Sequence, residues 1–206
     1  MGEAASRAAD AAGRLPLVPS DSDDVALAAV FDVFRTRGRE VPALYRSLGN
    51  APAMLQGWVD LAWPLRNDAR TSRQLRELII MRVAQLTGAA YEWLAHYDVA
   101  VAQGVPEATL EQLTSWRTNA DLDDVEREVL AMTDELTLDL EVADATWAAL
   151  AERYEPGELV ELVLTAAFYS CVSRVLRTLR LPVDATDPRL GSLGGFSGGR
   201  AGGSAG

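Results

Sequence analysis

The sequence predicts an all-α fold, because apolar residues recur at helical spacing along most of the chain and the alternation typical of strands is absent. Its 206 residues are enough for one domain with a core of ordinary size. Hydrophobic residues make up 49% of the chain and charged residues 24%, a balance typical of globular proteins. We expect a disordered segment at residues 1–20, a single helical domain at 21–185 and a flexible Gly/Ser-rich tail at 186–206.

Helix-end signals divide the domain into successive helices. The first runs from a Ser-Asp-Asp cap at residues 22–24 to Arg37, and its spacing predicts that Val25, Ala29 and Val33 face inward, with Phe34 as a further candidate. Proline opens several of the later helices and glycine ends several, as is common at helix termini. The later helices are predicted at residues 42–49, from 52 to a proline kink at 64, and at 72–87, 89–103, 106–116, 121–140, 144–154 and 156–180.

Composition excludes several classes of function. The net charge of −11 argues against a nucleic-acid partner, which requires a concentration of cations. Every basic residue is an arginine, so Schiff-base chemistry and a phosphate-loop lysine are excluded. A single histidine and a single cysteine exclude an internal disulfide, a redox dithiol and a zinc site built from several such ligands. We therefore predict neither a metal nor a cofactor; a carboxylate-rich metal site, for which no spacing motif is present, stays open as an alternative.

The sequence also predicts where the protein works. The first nineteen residues carry Glu3 and Asp10 and lack the apolar core of a secretory signal. No run of about eighteen apolar residues marks a transmembrane helix. Together with the lone cysteine, these observations predict a cytoplasmic protein with no membrane partner.

The only histidine and two carboxylates lie on consecutive predicted helices. Glu92 and His96 are four residues apart, so one helix face carries both. Glu77 lies one helix earlier, across the break at Gly88. A carboxylate beside an imidazole can raise the imidazole's pKa and fix its tautomer. We therefore predict a proton-transfer site that joins Glu77, Glu92 and His96.

Structural readings of the same residues remain open. His96 could be a histidine satisfied within a helix interface. Glu77 could form a helical salt bridge with Arg73 or Arg76, an interaction worth only a few tenths of a kcal/mol. Cys171 lies in an apolar helix and is predicted to be a small buried residue rather than a reactive thiol.

Substrate binding is predicted around the same helices. Arg73, Arg76 and Arg82 lie near the site, and Arg82 is expected to be the best placed to bind a carboxylate by a bidentate pair, although a structural ion pair is an equal alternative. Tyr91 and Trp93 are expected to line the pocket as substrate-binding residues, with a role in the core as the alternative.

The stretch from Glu77 to His96 resembles the carboxymuconolactone decarboxylase family, which includes the alkyl hydroperoxidase D-like proteins. The peroxidase branch of that family has a glutamate, a Cys-x-x-Cys and a histidine four residues after the second cysteine. Here Glu77 and His96 hold the outer positions, whereas Ala89 and Glu92 stand where the cysteines would be. The run at residues 91–93, Tyr-Glu-Trp, is similar to a decarboxylase-type variant that lacks the Cys-x-x-Cys.

The resemblance extends over roughly residues 25–183 and implies an alkyl hydroperoxidase D-like helical bundle. It implies a cofactor-free lyase that performs proton transfer or decarboxylation on a small carboxylated or lactone-type substrate. It also implies a homo-oligomer, here a trimer or hexamer. Because the two cysteines are missing, we expect no thiol peroxidase activity. The alternative is a family member that has lost its dithiol and acts as a non-catalytic, ligand- or partner-binding helical oligomer.

Overall fold

A computed structural model describes residues 13–194, and this part of the chain is helical, as the sequence predicts. Its α-helices are, in chain order, α1 Val25–Arg35, α2 Ala43–Leu48, α3 Pro52–Asn67, α4 Arg73–Thr87, α5 Ala90–Ala102, α6 Glu107–Glu111, α7 Asp124–Leu138, α8 Asp144–Ala151 and α9 Pro156–Leu179. Short 3-10 helices cover Leu113–Thr118 and Pro188–Leu193.

Helix α4 lies at the centre of the bundle, packed against α5, α7 and α9. Because neighbours surround it on three sides, ten of its residues, from Arg76 to Gln85, are buried. It ends at Gly88, whose φ of 62° lies in the left-handed region that glycine adopts without steric cost. That turn folds α5 back along α4. The buried charged residues of α4 therefore face protein rather than water: Glu77 contacts α5, whereas Arg82 contacts α7.

Helix α1 packs against α3 with a different face from the predicted one. Leu27, Val30 and Phe31 are buried, whereas Val25 is 88% exposed. The N-cap Asp24 places Val25 in the first turn, ahead of the contact with α3. The predicted inward set that began at Val25 is thus wrong, because tertiary docking set the phase of the buried stripe.

Both predicted flexible ends are packed where the structure describes them. The Val18 N–H donates to the Arg46 carbonyl at 3.1 Å, so the chain before residue 20 lies along α2. At the other end Leu193 is fully buried, and the Gln85 side-chain amide donates to the Ser192 carbonyl at 3.4 Å. Disorder and flexibility of the two ends stay predictions, although residues 13–20 and 186–194 lie against the helical domain. The rest of those predicted segments, residues 1–12 and 195–206, lies outside the described residues.

Helix α9 differs from the expectation that no segment is long and apolar enough to span a membrane. By length and composition it passes that test, with a mean hydropathy of 1.6 over an 18-residue window. However, 56% of the window is buried within the bundle. A core helix of a helical bundle has the same properties, and α9 packs against α4 in this way.

Candidate functional site

The three residues of the predicted proton-transfer site meet between α4 and α5. The Nδ1 atom of His96 lies 2.7 Å from Oε2 of Glu77, and its Nε2 atom lies 3.0 Å from Oε1 of Glu92. The imidazole is thus held between two carboxylates, one at each nitrogen. This arrangement orients the ring and supplies an acceptor for each of its protons when it is charged.

Glu77 is the most deeply buried member of the row formed by Glu77, His96 and Glu92. Its side chain is fully buried, and its other oxygen forms an ion pair with Arg73, one helical turn earlier on α4. Burial alone would raise the pKa of Glu77, but the hydrogen bond from His96 and the charges of His96 and Arg73 outweigh it and lower that pKa. Glu77 is therefore an ionised carboxylate that holds the Nδ1 proton of His96.

His96 is 6% exposed, and its pKa is set by opposing effects. Burial lowers the pKa of the imidazole, while the charge of Glu92 and the hydrogen bonds to Glu77 and Glu92 raise it by more. The result is a pKa above the ordinary 6.5. The hydroxyl of Tyr169 lies 3.4 Å from Nε2, with the two rings edge to face. A protonated imidazole is the form that can donate a proton to a substrate.

A cavity of about 260 Å³ opens onto one side of this row. His96 and Glu92 line it, whereas Glu77 does not. Of the three residues, only His96 and Glu92 can therefore contact a ligand in the cavity. Glu77 lies on the side of the imidazole away from the cavity. The remaining lining residues are Phe34, Arg39, Pro42, Leu44, Tyr45, Arg66, Arg73, Tyr91, Ala95 and Val99.

Three arginines give this cavity a positive balance. Arg39 is exposed at its edge, and Arg66 and Arg73 lie deeper and are half-buried. Together with a protonated His96 they outnumber the carboxylates Glu77 and Glu92. The Arg66 guanidinium donates to the hydroxyls of Tyr169 at 3.1 Å and of Tyr45 at 2.9 Å. The cavity thus suits an anionic ligand.

Arg82, predicted to bind substrate, faces away from the cavity, and that prediction is wrong. Its guanidinium forms a bidentate pair with Asp134, with N···O distances of 2.6 and 3.0 Å, and also donates to Gln85 and to the Leu113 carbonyl. Five helical residues separate it from Glu77, which rotates it by about 140° around α4. Arg73 is four residues from Glu77 and so lies on the same face.

The two aromatic residues predicted to line the pocket have different positions. Tyr91 does line it, and its hydroxyl accepts the Leu44 N–H at 3.3 Å. Burial raises the pKa of Tyr91. Trp93 is fully buried on another side of α5, where its indole N–H donates to the Arg189 carbonyl at 2.8 Å. Trp93 is therefore a core residue, and its predicted pocket role is wrong.

Cys171 also differs from its prediction as a buried residue. It is exposed on α9 and lines a separate surface depression with Leu140 and Arg174. It is not among the residues that line the His96 cavity. The chain's only sulfhydryl group is thus placed apart from the proton-transfer site.

Sequence reasoning missed Tyr45, Arg66 and Tyr169 as site residues. They lie on α2, α3 and α9, far apart in the chain, and no local spacing connects them. A weak signal existed for Arg66, since a polar side chain follows an otherwise apolar turn of α3 near Pro64. Only the packing of these helices around α4 and α5 brings the three side chains to the imidazole.

Comparison with known proteins agrees with this architecture. Residues 52–135, which include Glu77, Glu92 and His96, match the carboxymuconolactone decarboxylase family. No curated protein is significantly similar to the chain in sequence.

Several solved structures share the fold at low sequence identity. An uncharacterised peroxidase-related protein from Ralstonia eutropha JMP134, described as an alkylhydroperoxidase AhpD core, has a TM-score of 0.71 at 19% identity, covering 84% of this chain and 93% of that one. One from Silicibacter sp. TM1040 has a TM-score of 0.71 at 18% identity, with coverages of 84% and 92%.

A third similar structure is that of a debrominase, Bmp8, bound to 2,3,4-tribromopyrrole. Its TM-score is 0.68 at 16% identity, and the match covers 84% of this chain and 91% of that one. The family match over residues 52–135 and the shared fold confirm the resemblance predicted from the sequence. The segment that carries Glu77, Glu92 and His96 matches the carboxymuconolactone decarboxylase family, the fold is AhpD-like and all-α, and the single cysteine excludes a Cys-x-x-Cys pair.

Proposed function

We propose that this chain is a cofactor-free enzyme that catalyses proton transfer coupled to decarboxylation of a small carboxylated or lactone-type substrate. The observation that carries the proposal is the imidazole held between two carboxylates at the wall of a cavity that also presents three arginines. Such a site offers an acid, a means of holding it in one tautomer, and cations for a substrate carboxylate.

The proposed reaction begins with a substrate whose carboxylate is β to a carbonyl group. The bond between the carboxylate carbon and its neighbour breaks, carbon dioxide leaves, and the bonding electron pair moves onto the carbonyl oxygen as an enolate. A proton is then added at carbon and the carbonyl re-forms. Each step conserves electrons without a redox partner, so a dithiol is not required.

The residues divide this work according to their contacts. The raised pKa of His96 favours its protonated form, which donates its Nε2 proton at the cavity, either directly or through Glu92. Glu77, which does not reach the cavity, is a positioning residue that retains the Nδ1 proton and is itself fixed by Arg73. Solvent then returns a proton to His96 or Glu92.

The alternative functions predict different structures or activities. A non-catalytic binding protein would have His96 sealed from any opening, whereas a cavity reaches it here, which favours the enzyme. Thiol-dependent peroxidase activity needs a thiolate beside the reacting hydroperoxide. Cys171 lines a different depression, so we expect no peroxidase activity that Cys171→Ser abolishes.

The setting of the enzyme is proposed on the sequence alone. We expect a cytoplasmic homo-oligomer, a trimer or hexamer, whose partners are a small-molecule substrate and further copies of itself rather than nucleic acid or membrane. Light scattering on the purified chain measures the oligomeric state. A monomer at micromolar concentration contradicts this part of the proposal.

The decisive experiment is turnover of a panel of β-keto acids and carboxylated lactones, followed by carbon dioxide release and by deuterium incorporation from D2O. His96→Gln is expected to lower kcat/KM about 10²- to 10⁴-fold, since a positioned general acid supplies that much. Cys171→Ser is the matched control and keeps full activity. Equal turnover by His96→Gln and wild type refutes the proposed site, and absence of turnover in the wild type with every compound favours the non-catalytic alternative.

A further inference from the structure

Tyr45 presents a buried hydroxyl to the cavity that the proposed proton transfer does not use. The side chain is 4% exposed, and it lines the same cavity as His96 and Glu92. Its ring packs against Phe34, with ring centroids 5.1 Å apart, which fixes the direction of the hydroxyl. Helix α2, which carries it, lies outside the segment 52–135 that matches the family.

The hydroxyl of Tyr45 has a hydrogen-bond partner as an acceptor but none as a donor among the described residues. The guanidinium of Arg66 donates to its oxygen at 2.9 Å, so the oxygen acts as an acceptor. Among residues 13–194, no acceptor receives the hydroxyl hydrogen of Tyr45. A hydroxyl at the wall of a cavity whose hydrogen has no protein acceptor can donate that hydrogen to a bound ligand.

The contact with Arg66 also makes this hydroxyl a strong donor. A phenol that accepts from a guanidinium is polarised, and its own hydrogen bond to a third group is strengthened. The same guanidinium donates to Tyr169, whose hydroxyl lies next to His96. The Tyr45 donor is thus held rigidly to the framework that holds the imidazole, as a preorganised charge-stabilising group must be.

We propose that Tyr45, polarised by Arg66, is the hydrogen-bond donor that stabilises the enolate oxygen formed in the reaction. This inference rests on the proposed function. The substrate carboxylate lies toward the arginines, carbon dioxide leaves from there, and the negative charge that develops on the carbonyl oxygen is received by the Tyr45 hydroxyl. The acid and the oxyanion donor therefore come from different parts of the chain, α5 and α2.

Tyr91 is the competing donor and provides a direct comparison. It lines the same cavity, and its hydroxyl accepts a neutral backbone N–H from Leu44 at 3.3 Å. A neutral donor at this distance polarises a hydroxyl less than a guanidinium at 2.9 Å does. Tyr45 is therefore assigned in preference to Tyr91.

The test uses 4-hydroxy-3-nitrobenzoate as a probe, because it carries a carboxylate and a phenol whose ionisation is visible by absorbance. Its ionised phenol oxygen stands for the enolate oxygen. Wild-type protein is expected to bind the phenolate form more tightly than the phenol form, which lowers the apparent pKa of the bound probe. Tyr45→Phe is expected to weaken phenolate binding about ten- to a hundredfold, the usual loss for a hydrogen bond to a charged group.

Three controls separate this role from a structural one. Binding of 3-nitrobenzoate, which lacks the phenol, is expected to be the same in Tyr45→Phe and wild type. Tyr97→Phe, on the side of α5 that carries Trp93, leaves both probes unaffected. Site-specific replacement of Tyr45 by 3-fluorotyrosine, a more acidic donor in the same place, is expected to tighten phenolate binding and keeps the test available even if Tyr45→Phe does not fold.

The possible results separate a failure of the Tyr45 assignment from a failure of the proposed function. Unchanged phenolate binding in Tyr45→Phe overturns the inference and leaves the proposed function standing, as does a loss that occurs in Tyr91→Phe instead. If the wild type binds neither probe at millimolar concentration, the anionic-substrate function fails, and the inference fails with it.

Discussion

Two buried clusters of arginine and carboxylate flank helix α4, and they differ in how many of their hydrogen-bonding groups are used. On one side Asp134 accepts four N–H groups, two from Arg82 and one each from Trp116 and Arg117. We call this the closed cluster. On the other side Glu77 and Glu92 hold a histidine beside a cavity, and we call this the open cluster.

The difference teaches that a buried ion pair alone does not mark a functional site. Four donors hold Asp134, and its partners come from the protein itself, so the value of the closed cluster is structural. The open cluster contains a group whose proton can move, and two of its members reach the cavity. Unused hydrogen-bonding capacity next to open space is what separates the two.

The largest effect is expected from breaking the closed cluster. Asp134→Ala leaves the buried guanidinium of Arg82 without its partner, which we expect to lower the free energy of unfolding by about 3–5 kcal/mol. Urea denaturation measures it. Glu128→Ala, which breaks the exposed ion pair with Arg153, is the control and is expected to cost at most about 1 kcal/mol. Equal losses in the two variants contradict a structural role for the closed cluster.

The second prediction concerns titration of the open cluster, which the single histidine makes unambiguous. We expect the ¹H–¹³C NMR signal of His96 to titrate with a pKa above 6.5, and Glu92→Gln to lower that pKa because the largest attraction on the imidazolium is removed. Asp134→Asn, on the other side of α4, is the control and leaves the His96 pKa unchanged. A wild-type pKa at or below 6.5 contradicts the arrangement.

The same titration has a defined effect on stability. Because the folded-state pKa of His96 is raised, its contribution is present below pH 6.5 and is lost as the pH rises through the folded pKa. Glu77 has a lowered pKa, so its contribution is present above its ordinary 4.5 and is lost as the pH falls through its folded value. Stability from the open cluster is therefore expected to be greatest between about pH 4.5 and 6.5. In His96→Gln we expect the loss of this stability at higher pH to disappear, because the titrating imidazole is gone.

The smallest effect is expected at the exposed edge of the cavity. Arg39→Gln removes a guanidinium that has no ion-pair partner among the described residues, and we expect binding of 3-nitrobenzoate to weaken about five-fold, or about 1 kcal/mol. Arg37→Gln is the matched control, since Arg37 is exposed two residues earlier and does not line the cavity. Equal binding by Arg39→Gln and wild type limits the anion site to Arg66 and Arg73.

The sequence by itself determined the helical class, the resemblance to the family and the meeting of Glu77, Glu92 and His96. These rest on local information: apolar periodicity, helix-end residues and a spacing of four within one helix. The prediction that Arg82 binds substrate failed, because closeness to Glu77 in the sequence does not place two side chains on the same face of a helix. Five residues along a helix turn a side chain to the opposite side, whereas Arg73, four residues from Glu77, shares its face.

Only the tertiary structure decided which side chains surround the imidazole. Tyr45, Arg66 and Tyr169 come from three helices whose docking depends on the whole core, and no periodicity within one helix encodes such a meeting. Packing also ordered residues 188–193, because Leu193 and the Trp93 indole provide burial and a hydrogen bond that a Gly/Ser-rich composition does not reveal. Local sequence sets each helix, and the free energy of burying all of them together sets the site.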